Sequence, residues 1–278
     1  MQLIPRRHVD LALDPAAVPR DWCASDPYVT TYNAALSLLF PEGEQFFVQS
    51  VKQLAAAADS PALQQQIAGF IGQEAMHGKE HRAFNDLLVA HGYPEAPRIE
   101  ARLRRFLRGV RRALPARSQL AVTCALEHFT AMLAELLLGN RQVQEEFDPS
   151  VRALWLWHAY EESEHKAVAF DLYRAAGGGY VRRCGMMLVT TFVFVAVHAI
   201  VHARLMATRG ILWRPWTWLR GIGRMWIYPG YFVRQVPAYL AYFRPSFHPD
   251  DRDTRPLLAA WHAQLFADDG LLAGRVRA

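Results

Sequence analysis

Apolar residues recur every three to four positions through the first part of the chain, the period of a helix that buries one face, and no stretch shows the alternation that a strand requires. Start and stop signals divide this pattern. Pro41 suits the first position of a helix, since proline has no amide hydrogen to leave unpaired, and it opens a first helix to about Ala58. Asp59-Ser60-Pro61 ends that helix and caps a second, which stops at His91-Gly92-Tyr93-Pro94. A basic helix from Ile99 to Leu114 gathers Ile99, Leu103, Phe106, Leu107, Val110 and Leu114 on one face and arginines elsewhere. Ser118 caps a third core helix ending at Gly139-Asn140, and Asp148-Pro149 opens a fourth that runs to Gly177–Gly179. The pattern predicts an all-α protein. Residues 1–178 form a four-helix bundle with an N-terminal extension, and residues 179–278 form a helical region packed on the bundle or on a membrane.

The C-terminal region has its own composition. Cys184 to Ala203 is uncharged, and its 20 residues are just enough to span a bilayer. His198, His202, two threonines and arginines at both ends favour a helix buried against the bundle or in a homodimer interface. From Ile211 to Phe247 there are 11 aromatic residues, Trp213, Trp216, Trp218 and Trp226 among them, interleaved with arginines and with no acid. Such a segment suits the surface of a membrane or an ordinary aromatic cluster, and Pro215, Pro229, Pro237 and Pro245 break it into short pieces.

The 278 residues, 52% of them hydrophobic, suffice for a large core and exclude disordered and collagen-like classes. Cys23, Cys124 and Cys184 share no CxxC spacing, so any metal must be held by histidines and carboxylates. The formal charge of +5 hides an acid-free stretch from Leu172 to Pro249. With only Lys52, Lys79 and Lys166 against many arginines, and no nucleic-acid-binding signature, no nucleic-acid partner is expected. The N-terminus shows no apolar run before a cleavage site, so a cytoplasmic protein is expected, with inner-membrane association as the variant.

Four carboxylates and two histidines stand out. Glu74 and His77 are three apart on the second helix, and Glu162 and His165 repeat the interval on the fourth. Two Glu-x-x-His pairs with one inward glutamate on each remaining helix describe a dinuclear carboxylate site. Periodicity selects those glutamates: Glu44 lies within the stripe of Phe40, Phe47, Val48, Val51 and Ala55, and Glu127 within that of Leu120, Thr123, Cys124, Thr130, Ala131 and Leu138. Four buried carboxylates without a cation would each cost several kcal/mol or take up a proton. The expected set is therefore Glu44, Glu74, His77, Glu127, Glu162 and His165 around two metal ions, iron first, with manganese and zinc as alternatives. Glu161 competes with Glu162, because it lies four residues before His165. His158 and His81 are additional candidates, either as ligands, as hydrogen-bond partners of a ligand or as core histidines. Glu80, Glu135 and Glu164 are expected in solvent.

The runs FPEGEQFF, FIGQEAMHGKEHRAFN, ALEHFTA and EESEHKAVAFD, between Phe40 and Asp171, resemble the bacterial family of predicted metal-dependent hydrolases, itself similar to ferritin-like di-iron proteins. The resemblance implies a ferritin-like four-helix bundle with additional C-terminal helices, holding two metals on the same residues. His158 also makes the fourth helix look like that of arylamine N-oxygenases. The expected function is O2-dependent oxidation of an apolar or aromatic small molecule, with reductant from an electron-donor protein. The alternatives are a hydrolase using a metal-bridging hydroxide and a non-catalytic metal-binding protein. No Gly-x-Ser-x-Gly or Gly-x-Gly-x-x-Gly motif offers another chemistry.

Overall fold

The computed structural model describes residues 4–277 and is almost wholly helical. In chain order the helices are α1 (Pro27–Leu54), α2 (Pro61–Ala90), α3 (Ala96–Ala113), α4 (Ala116–Gly139), α5 (Arg141–Glu146), α6 (Pro149–His165), α7 (Val168–Ala175), α8 (Tyr180–Thr208), α9 (Pro215–Trp226), α10 (Val236–Ala241) and α11 (Arg255–Phe266). Two short strands, β1 (His8–Val9) and β2 (Val276–Arg277), pair antiparallel with His8 opposite Arg277, so the two ends of the chain are tied together.

The first core helix is longer than the sequence pattern predicts. Asp26 caps α1 by accepting hydrogen bonds from the amides of Tyr28 and Val29, and the helix runs straight through Pro41. A proline inside a helix frees the carbonyl four residues back. Here that carbonyl belongs to Ser37, and the Asn85 side-chain amide of α2 donates to it at 3.3 Å. A neighbouring helix thus supplies the bond that the proline removes, and the proline becomes an interior residue rather than a start. Ser60 caps α2 as expected. The fourth core helix is broken just after His165, giving α6 and α7.

Helices α1, α2, α4 and α6 pack on one another, with α7 closing one end. The N-terminal segment belongs to this core: Trp22 stacks on Trp155 at 5.8 Å and meets Phe84 edge-on at 5.1 Å, and all three are buried. Among the described residues two helices, α4 and α8, are long and apolar enough to cross a membrane. The first lies largely inside the bundle. The second packs on α1 and α4 through one face, with Met187, Thr190, His198, Val201, His202 and Leu205 buried at helical spacing. Its other face, with Val181, Leu188, Phe192, Val195 and Ile200, is exposed, so α8 is only half covered rather than buried against the bundle as its histidines suggest.

Replacing Phe84, fully buried between Trp22 and Trp155, by alanine is expected to cost about 3–5 kcal/mol. Urea denaturation compared with wild type measures it, and a cost under about 1 kcal/mol would mean that the N-terminal segment does not share the bundle core.

Candidate metal centre

Each core helix carries candidate ligands inward. Glu44 comes from α1, Glu74 and His77 from one face of α2, Glu127 from α4, and His158, Glu162 and His165 from one stripe of α6; each is 4% exposed or less. Glu162 is central: its Oε1 lies 3.0 Å from His158 Nε2, 3.4 Å from His77 Nδ1 and 3.6 Å from His165 Nε2. Glu44 Oε1 is 3.8 Å from His158 Nε2. His165 Nε2 is 3.0 Å from Glu74 Oε1 and 3.5 Å from Glu127 Oε2. The donor atoms fall into two groups that could each hold an ion, Glu44 with His77 and His158, and Glu74 with Glu162 and His165.

The hydrogen-bond inventory of these groups is anomalous. Both carboxylate oxygens of Glu44, Glu74 and Glu127, together with Glu162 Oε2, His77 Nδ1 and His165 Nε2, are buried without a hydrogen-bond partner. Close approaches such as that of His165 Nε2 to Glu74 are off the hydrogen-bonding line. Orphaned buried polar atoms are rare and costly, and here they converge on one place while most other buried polar groups of the bundle are paired. A cation satisfies carboxylate oxygens and bare imidazole nitrogens together, so the residues present fit a metal.

The far sides of the histidines are held, which leaves the inward nitrogens bare. His77 Nε2 donates to Glu161 Oε2 at 3.1 Å, and His165 Nδ1 donates to Gln73 Oε1 at 2.8 Å. Both supports lead to Arg7, which donates to Glu161 at 2.9 Å and to Glu164 at 2.6 and 2.9 Å, while Glu164 accepts from Gln73 at 2.9 Å. The Arg7 guanidinium also lies over the rings of Tyr160 and Phe266. His158 has a separate chain. Asn85 donates to Glu100 and to the Ser37 carbonyl, which turns its oxygen towards the Ser37 hydroxyl at 2.8 Å. Ser37 then accepts from His81 Nδ1 at 2.9 Å, and His81 Nε2 accepts from His158 Nδ1 at 2.7 Å. His158 Nε2 faces Glu162 Oε1 at 3.0 Å.

The electrostatics express the same crowding. Burial, reinforced by the neighbouring carboxylates, pushes Glu44 and Glu127 well above the ordinary range, and Glu74 is raised for the same reasons. Burial would also lift Glu162, but His165, His158 and His77 outweigh it and hold it well below. Burial alone would lower His77; Glu161, Glu162 and Glu74 overcome it and carry the imidazole up to about 10. His158 is pushed down to about 4 by burial and by His77. Without metal, protons and imidazolium ions neutralise the carboxylates.

The structure brings Glu44, Glu74, His77, Glu127, Glu162 and His165 into one cluster and adds His158. It moves His81 one step out, as the hydrogen-bond partner of His158, and puts Glu161 behind His77 rather than at the cluster. Glu80, expected in solvent, is buried, and Glu164, expected there too, is partly buried with its side chain on Arg7. Sequence reasoning missed Arg7, Gln73, Ser37 and Asn85. Gln73 could have been suspected beside Glu74, but Arg7 lies where no periodicity exists to interpret.

Arg7→Met should lower metal affinity about 10- to 100-fold, because it releases the partners of both His77 and Gln73. Arg7→Lys should rescue little, since a lysine cannot bridge two carboxylates in one plane. Isothermal titration with metal measures both, and wild-type affinity in Arg7→Met would show that these supports do not orient the site.

Residues 5–253 match the family model described as predicted metal-dependent hydrolase. No curated protein and no solved structure matches the chain. The family match overturns the expectation of O2-dependent oxidation and favours the hydrolytic alternative, a reading the ligand residues alone could not select because the same donor set serves either chemistry. With its match over nearly the whole sequence, the chain belongs to the family of predicted metal-dependent hydrolases.

Proposed function

We propose that this protein is a hydrolase whose reaction depends on two divalent ions at the buried cluster. The reading is carried by the convergence of bare carboxylate oxygens and imidazole nitrogens from α1, α2, α4 and α6 on one water-poor space. Glu44, His77 and His158 would hold one ion and Glu74, Glu162 and His165 the other, with Glu127 completing the second group. The mixed nitrogen and oxygen donors suit zinc, manganese or iron(II). When bound, such ions supply Lewis acidity, polarising a carbonyl or phosphoryl oxygen and making water more acidic.

The chain's own residues hold the geometry and exclude bulk water. Phe40 covers His158 and His81 at 4.7 Å, Phe70 covers His165 at 4.9 Å and Trp157 covers His77 at 5.0 Å. Glu161 and Gln73 fix the histidine rings, and the Asn85–Ser37–His81 chain keeps a proton on the outward nitrogen of His158.

Zinc- or manganese-loaded protein is expected to cleave carboxylic esters under argon as fast as in air, and to lose that activity on chelation and in Glu162→Ala. Absence of hydrolysis with every metal, across carboxylic and phosphate esters, would overturn the proposal.

A further inference from the structure

A cavity of about 340 Å³ lies between α1, α3, α4 and α8, and Glu44 forms part of its wall. On each of the four helices its lining recurs at helical spacing: Leu36 to Phe47, Leu103 to Leu114, Val122 to Leu133 and Met186 to Val197. Each range advances 11 residues, so the cavity is a slot about 16 Å long, parallel to the helices. Its walls are apolar except at Glu44, Thr130 and Thr190, and its rim, at Phe106 and Val189, is exposed.

We infer that this slot is the substrate's acyl-chain site: it takes a linear alkyl chain whose ester carbonyl lies at the Glu44 end. This inference rests on the hydrolytic reading above for the carbonyl, and on the slot alone for the chain. Three observations carry it. First, Glu44 belongs both to the slot wall and to the candidate centre, so a single side chain separates a molecule lying in the slot from the cluster. Secondly, the polar features lie close together. His198 and His202 of α8 contact Tyr32 and Thr31 of α1, so the two helices run antiparallel, and Thr190 falls level with Phe40 to Gly43, within about a turn of Glu44. The Thr190 hydroxyl, beside the slot wall, is buried and has no hydrogen-bond partner. Thirdly, the slot wall beside Glu44 is kept open by Gly43. Glycine weakens the middle of a helix, and a Cβ at this position would meet nothing within 4 Å. The missing side chain leaves space in the slot wall next to the carboxylate.

The shape selects the chain. Glu44 and Leu36 are 8 residues apart, about 12 Å along α1, which matches an extended chain of about ten carbons. Walls of aliphatic and phenyl groups from four aligned helices suit a narrow, flexible chain, and their few polar groups, Glu44, Thr130 and Thr190, are too sparse for a sugar, nucleotide or peptide.

Displacement of a fluorescent fatty acid by straight-chain carboxylates of four to sixteen carbons tests the inference without turnover. Affinity should rise with length to about ten carbons and then level off. Gly43→Leu should weaken decanoate binding at least about tenfold with metal content and melting temperature maintained. Val193→Trp, in the wall away from Glu44, should move the plateau to shorter chains. If wild type binds no alkyl carboxylate, or if both variants bind decanoate like wild type, the inference is overturned. Chain-length-dependent binding without hydrolysis of any ester supports the slot while the hydrolytic reading fails; hydrolysis of short esters with binding indifferent to chain length overturns the slot and leaves that reading standing.

Discussion

Four carboxylates and three imidazoles share a space from which water is excluded, and they cannot keep their ordinary charges there together. Two like charges about 4 Å apart repel by about 4 kcal/mol even at an effective dielectric constant of about 20. A bundle that only needed to fold would place leucines at these positions. The groups are instead held by a frame whose visible purpose is to aim them inward. Arg7 neutralises Glu161 and Glu164 so that these can hold His77 and Gln73, and Asn85 sets the proton order from Ser37 to His158.

That frame explains otherwise unrelated parts of the fold. Pro41 is tolerated within α1 because Asn85, already needed for the histidine chain, takes the carbonyl that the proline frees. The N-terminal segment is tied down by β2 and by the aromatic cluster of Trp22, and it thereby delivers Arg7 to the far side of the site. The aromatic wall on the histidines keeps the interior dry, which makes the charges expensive and a cation's attraction strong.

The inward-facing residues were readable from spacing, because a carboxylate in an apolar stripe conflicts with its neighbours and the Glu-x-x-His interval repeats. The residues one step behind were not. Arg7 belongs to an irregular segment, Asn85 and Ser37 look like ordinary polar helix residues, and the choice of Glu162 over Glu161 depends on a rotation that periodicity does not resolve. Pro41 misled because its local signal for a helix start was outweighed by a tertiary hydrogen bond. The exposure of half of α8 was likewise invisible, since an apolar run reads alike whether one face or both are covered. The reaction itself was least readable: the same donors serve oxidation and hydrolysis, and the family match separated them.

The centre depends on metal replacing protons at the buried carboxylates. Calorimetric titration of chelator-stripped protein with zinc or manganese, in two buffers of different ionisation enthalpy, reads ion count and proton release together. Burial favours protonated Glu44 and Glu127 in the metal-free cluster, so uptake should release protons, and the apparent affinity should fall as pH falls. The expected result is two ions per chain with net proton release, and a lower ion count in Glu127→Ala. No uptake, or uptake that releases no protons and is unchanged in Glu127→Ala, would contradict it.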